Sequence, residues 1–221
     1  MARDARSRRE EPCRALHPGP RVARKPLTRK LRLEDIADLR AYERERETFR
    51  SEVIALKKRR RVAVGPHVTL LFENRETIRF QIQEMARVEK ILSDDGIRAE
   101  LDVYNPLIPG PGSLAATLFI ELTSKADLER WLPQLVGIER AVELRADGVV
   151  VACRPDETHE KQLTRDTVTA SVHYIHFELT AEQIEAVAVG PVELAITLDD
   201  YAESVRLEDA TVAELLVDLR S

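Results

Sequence analysis

The sequence predicts an α+β protein: a mixed, largely antiparallel sheet with packed helices, an N-terminal helical segment and a disordered basic tail. Three observations predict this class. Short β-branched runs come in pairs joined by Gly65-Pro66 and Asp147-Gly148, which are hairpin signals. These hairpins are mixed with strand–helix–strand units, which argues for a mixed, largely antiparallel sheet. Residues 1–30 are broken by Pro12, Pro18, Pro20 and Pro26 and offer little apolar surface to bury.

The elements follow in order. From Leu33 to Arg61, Ile36, Leu39, Tyr42, Phe49, Val53 and Leu56 recur at helical spacing, as two helices or one bent helix. Val62–Val64 and Val68–Glu73 flank the Gly-Pro turn as strands, and Asn74 suits the N-cap of a helix from Arg75 to Leu92. Asp95-Gly96 ends that helix, and a short one spans Ile97–Tyr104. The stretch Asn105 to Gly112 holds three prolines, whose missing N–H groups exclude regular structure and make a poor phosphate cradle; it reads as a rigid lid or docking loop. Leu114–Leu122 is a strand and Ala126–Leu132 a helix. Ala141–Ala146 and Val149–Arg154 form a hairpin whose Asp-Gly suits two positive-φ positions. Pro155 to Thr169 reads as a loop, Ala170–Glu178 as a strand, and the chain closes with a helix at Ala181–Val187, a strand at Val192–Leu198 and a helix at Asp209–Leu219. Residues 31–221 are therefore expected to form one domain behind the tail.

Composition excludes several classes. With 5% aromatic residues the chain lacks the stacking platforms of single-stranded nucleic-acid binders. Residues 1–32 hold eleven Lys or Arg against Asp4, Glu10 and Glu11, so the remainder is acidic and nucleic acid is an unfavoured partner. No apolar run reaches the ~18 residues of a membrane span. Cys13 and Cys153 form no CxxC pair and no disulfide framework, which fits a reducing, cytoplasmic setting. No dinucleotide, phosphate-loop, zinc-protease or nucleophile-elbow motif is present, and no cofactor is named by the residues.

The residues Ala55-Leu56-Lys57-Lys58-Arg59-Arg60-Arg61-Val62-Ala63-Val64-Gly65-Pro66-His67, with Leu71 to Arg75, Phe80 to Met85, Leu101 to Gly110, Ala116 to Glu121 and Leu135 to Glu139, resemble a bacterial family, the domain of unknown function numbered 3501. The likeness runs from about Leu31 to the C-terminus, which marks the first thirty residues as an extension. The family transfers no catalytic residues. The resemblance implies a partner among rubrerythrin-like or iron–sulfur oxidoreductase proteins, and with it a part in redox or peroxide defence.

A few residues look out of place. Lys57, Lys58, Arg59, Arg60 and Arg61 exceed what a helix C-terminus needs to offset its dipole, so they read as an anion or partner site, joined by Arg75 and Asn105. Projecting the helix after Asn74 at 100° per residue places Ile78, Ile82, Met85 and Leu92 on one stripe, with Glu89 inside it and Gln81 at its margin. A buried carboxylate must be protonated, paired or bound to metal; the plain alternatives are an arginine partner or a stripe end reaching solvent. His67 follows the first turn, and Glu73 lies an even six residues on, which permits one shared face. His173 and His176, three apart on a strand, point to opposite faces, and no metal site is assigned.

Two functions follow. One is a non-catalytic accessory or interaction domain docking an acidic redox partner through Lys57–Arg61 and the Asn105–Gly112 loop. The alternative is a small-anion or metal-dependent enzyme around the first hairpin and following helix. There Glu84 or Glu89 would serve as base or ligand, Arg75 as anion clamp, and His67, Glu73 and Gln81 would complete the site.

Overall fold

The computed structural model describes residues 30–156 and 168–221; the expected tail over residues 1–29 and most of the loop beyond Asp156 lie outside them. A short 3-10 turn at Leu33–Asp35 leads into α1, Leu39–Arg60. This is one helix rather than two, because no Gly or Pro interrupts residues 39–60 and Tyr42, Phe49, Val53 and Arg60 share its buried stripe. β1 (Arg61–Val64) and β2 (Val68–Glu73) form the first hairpin. Asn74 caps α2 (Arg75–Glu89), its side chain accepting from the N–H groups of Glu76 and Thr77. That helix ends at Glu89, three residues short of the expected Leu92, and Lys90 caps it at φ 55°. Ser93 then caps α3 (Asp94–Tyr104), so Gly96 lies within its first turn instead of ending the helix before it.

β3 (Ser113–Ile120), α4 (Lys125–Gln134) and the hairpin of β4 (Val142–Ala146) and β5 (Val149–Ala152) follow. Asp147 and Gly148 take φ 44° and 78°, as the turn chemistry required. The expected strand Val149–Arg154 bends at Cys153: β5 pairs with β4, and Arg154–Pro155, β6, crosses to pair with β7 (Val172–Glu178). α5 (Ala181–Val189), β8 (Val192–Leu198), β9 (Tyr201–Arg206) and α6 (Asp209–Leu219) complete the chain. β9 was not expected, since its burial does not alternate and only backbone pairing with β8 defines it.

The strands make two sheets, ordered β1-β2-β3-β7-β6 and β5-β4-β8-β9, with every pairing antiparallel. Val64, Val68, Leu70, Phe72, Leu118, Ile175 and Phe177 of the first meet Val142, Leu144, Val192, Leu194 and Ile196 of the second in the main core, closed by Leu215 and Leu219 of α6. The chain itself joins the sheets at Cys153. At the opposite seam the Tyr201 hydroxyl donates to the Val64 carbonyl (2.8 Å) and accepts the His67 N–H (3.0 Å). Two smaller clusters hold α1, α2 and α3: Tyr42, Phe49 and Val53 in one, and Leu31, Ile78, Ile82, Leu101, Leu107 and Ile108 in the other. Leu107 and Ile108 thus pack the proline-rich stretch inward. Among the described residues no helix is long and apolar enough to cross a membrane.

Candidate functional site

The basic run ends α1 and opens β1, and its five cations have different fates. Arg60 is fully buried. Its Nε donates to the Phe72 carbonyl (2.8 Å) and its Nη2 to the Glu73 carbonyl (3.1 Å) and to the Asp218 carboxylate. Nη1 lies 3.6 Å from Glu214 Oε2 and has no hydrogen-bond partner among the described residues. One guanidinium therefore ties α1, β2 and α6 together. Burial pushes the Asp218 carboxyl up, against the opposing pull of Arg60.

The other four cations ring this anchor. Arg59 Nε meets Glu214 at 2.7 Å. Arg61 meets Glu121 at 2.5 Å, lies 5.2 Å over the Phe119 ring, and shares Glu121 with the Thr69 hydroxyl (2.7 Å). Lys57 sits 5.4 Å over Phe80. Lys58 is exposed and makes no ion pair or hydrogen bond among the described residues. Exposed pairs of the Arg59 and Arg61 kind contribute about 0–1 kcal/mol, so a partner's carboxylates can displace Glu214 and Glu121 at little cost. The corner is rigid because of Arg60 and chemically available because of the rest.

Arg75 and Asn105, grouped with this run by sequence, lie elsewhere and hold the chain's entry. Arg75 pairs with Asp35 (2.7 Å) and Glu76 (3.1 Å). The Asn105 amide accepts the Leu31 N–H (2.8 Å) and donates to the Leu31 carbonyl (2.9 Å). Gln83, fully buried on α2, does the same for Ala37 at 2.7 and 3.1 Å. Two carboxamides thus supply the extended segment before α1 with the main-chain pairing that a strand would give it. Gln83 carried no sequence signal beyond its place beside the apolar stripe.

The candidate acid–base residues do not converge. His67 occupies the turn, its ring 4.6 Å from Trp131 and 6.2 Å from Tyr201, whereas Glu73 ends β2 roughly 20 Å away at ~3.3 Å per residue. Glu73 is buried, accepting the hydroxyls of Thr77 (2.5 Å) and Thr117 (2.7 Å). Glu84 is gripped by Arg46 at 2.8 and 2.9 Å, by Tyr42 (2.7 Å) and by Arg87 (3.3 Å). Hydrogen bonding from Arg46 above all holds its carboxyl at about 2, so it is a structural anion rather than a base. Glu89 is exposed, and Leu92 is 84% exposed. Of the readings open for Glu89, the structure shows the stripe end that reaches solvent: the buried stripe is Ile78, Ile82 and Ala86, and α2 runs past the core before reaching Glu89. Gln81 is half-buried.

His173 and His176 face opposite sides as their spacing requires. His173 is buried, its Nε2 near Thr169 Oγ1 (2.8 Å) and the Ala170 carbonyl (2.9 Å); His176 lies 3.5 Å from Asp156. Cys153 donates its thiol to the Glu139 carbonyl (3.2 Å), and burial pushes it up to about 11. Among the described residues no three His, Cys, Asp or Glu side chains gather as a metal would need.

This architecture, two antiparallel sheets flanked by helices with an arginine-anchored basic corner, defines an α+β protein whose distinguishing residues are structural and electrostatic. The chain belongs to the family described as Protein of unknown function (DUF3501), whose model matches residues 30–219. It is also similar to the crystal structure of a novel protein of unknown function from Burkholderia pseudomallei K96243. The two share 39% identity with a TM-score of 0.79, over 86% of this chain and 100% of the other. No curated protein matches it.

Proposed function

We propose that this chain is a non-catalytic interaction domain that presents the basic end of α1 to an acidic protein partner. The observation that carries the reading is the arrangement of Lys58, Arg59 and Arg61 around the buried Arg60, with Lys57 half-buried over Phe80 beside them: a fixed anchor with exposed, weakly compensated cations about it. Opposite charge at such a surface speeds encounter and sets orientation more than it adds affinity. The partner class to try first is the one the family resemblance implies, rubrerythrin-like and iron–sulfur oxidoreductase proteins, with a role in redox or peroxide defence. The enzyme alternative needs His67, Glu73, Arg75, Glu84 and Glu89 in one place, and each is placed or engaged apart.

Co-purification from a native lysate followed by a binding titration with the recovered acidic protein tests the reading. The informative variant is Lys58→Glu/Arg59→Glu/Arg61→Glu with Arg60 kept, because changing Arg60 would remove the anchor as well as the charge. Binding should weaken with salt and fall at least ~10-fold in the triple variant. Equal recovery by the wild type and a folded triple variant refutes the proposal.

A further inference from the structure

A second surface lies on the other side of α6 from the basic corner. Val187, Val189, Pro191, Val192, Leu207, Val212, Ala213 and Leu216 line a groove of about 420 Å³ between α5, the β8–β9 end and α6. A second depression of about 310 Å³, along the β4–β5 hairpin, shares Pro191, Val192 and Arg206 with it, so the two are continuous. Three exposed aliphatic side chains lie along or beside this track: Val189 is 81% exposed, Val150 53% and Val217, one turn beyond Ala213, 44%. A depression that combines aliphatic lining with charged groups at its edge has the composition of an association surface, apolar within and polar at the rim.

The rim indicates what covers it. Arg206 and Asp209 both line the groove, carry opposite charges and are exposed, and neither side chain makes a hydrogen bond or ion pair among the described residues. Three residues apart at the junction of β9 and α6, they form a self-complementary pair. A two-fold axis through the groove sets Arg206 of one copy against Asp209 of the other and repeats the contact in reverse, which is the requirement of an isologous interface. We infer that this face is the contact between two copies of the chain, with Val189 and Val217 filling the partner's groove and two Arg206–Asp209 pairs fixing register. The inference is independent of the basic corner: Arg59 and Arg60 reach α6 through Glu214 and Asp218, which point away from the groove-lining stripe Asp209, Val212, Ala213 and Leu216.

Sedimentation velocity of the full chain over a hundred-fold concentration range tests it. A concentration-dependent dimer is expected. Val189→Glu should give a monomer that stays folded, with a wild-type circular dichroism spectrum and a cooperative melt, since in the single chain that side chain stands in solvent. Arg206→Asp and Asp209→Arg should each raise the dimer dissociation constant about ten-fold, and the double exchange should bring it back to within about three-fold of wild type. A chain that stays monomeric at ~100 μM overturns the inference, including the case in which a different protein occupies the groove. So does a dimer indifferent to Val189→Glu, or a double exchange no better than the singles.

Discussion

Replacing Arg60 with Ala strips α1 of its anchor, and the cost can be worked from the contacts. The substitution removes two donors to main-chain carbonyls of β2 and leaves Asp218, 4% exposed, without its cation. Breaking a buried ion pair from one side costs roughly 3–5 kcal/mol, at least about a fifth of the ~5–15 kcal/mol that holds a typical domain. Removing the carboxylate too, as Arg60→Met/Asp218→Leu, deletes the uncompensated charge and should recover about 2 kcal/mol or more of that loss. The pH dependence has a definite sign. The Asp218 carboxyl is already raised above 3.8 by burial, so the native state binds its proton more tightly than the unfolded chain. Its contribution to stability is therefore greatest at low pH and falls as pH rises through the raised native value. Without Arg60 that value climbs further, so acidifying Arg60→Ala from about pH 7 to about pH 5 should narrow its deficit relative to wild type. Urea unfolding followed by circular dichroism at both pH values reads all three outcomes. A loss below about 1 kcal/mol for Arg60→Ala, or a double variant no better than the single, would refute the anchor.

Other consequences are equally concrete. Gln83→Ala removes both hydrogen bonds to Ala37 and should cost about 1–3 kcal/mol, with amide exchange at Ala37 rising before exchange in the sheets. Gly65→Ala should destabilise by about 1–3 kcal/mol, because φ is 69° and a Cβ there would meet the Tyr201 hydroxyl and Glu203 Cγ, each at 2.6 Å; a thermal melt measures it. Glu84 has a depressed native carboxyl, so its stabilisation is present above about 4.5 and lost as pH falls towards about 2; Glu84→Gln should flatten this part of an acid-unfolding curve and lower stability by about 1–2 kcal/mol at pH 7. The Cys153 thiol, buried and raised to about 11, should react with a thiol reagent only at the rate of opening, measured by labelling with and without urea.

Much of the fold was legible because it rests on local chemistry. Asn74, the Gly65-Pro66 and Asp147-Gly148 turns, and the bounds of β8 and α6 were readable from capping, φ preference and period. Less local features were not. β9 has no burial alternation to reveal it, since an edge strand is defined by hydrogen bonds to its neighbour. The bend at Cys153 depends on the chain passing from the start of β4, where Ala152 pairs with Glu143, to the second half of β7, where Arg154 pairs with His176, which no single run of residues records. An acid inside an apolar stripe does signal a buried ion pair, yet α6 carries it, at Asp218 beside Leu215 and Leu219, and not α2 at Glu89. A helical projection gives the direction of a side chain but not how far along its helix the core extends.

The sequence by itself determined the α+β class, the hairpins, the Asn74 cap, the family, and the presence of an excess of cations at the end of α1. These follow from backbone sterics, local hydrogen bonding and residue order. The tertiary structure alone decided which of the five cations is buried, that Asn105 and Gln83 hold the entry segment, that His67 and Glu73 stand at opposite ends of one strand, and that Arg206 and Asp209 share a groove. Such relations depend on which distant segments pack together, and packing is set by the whole core at once.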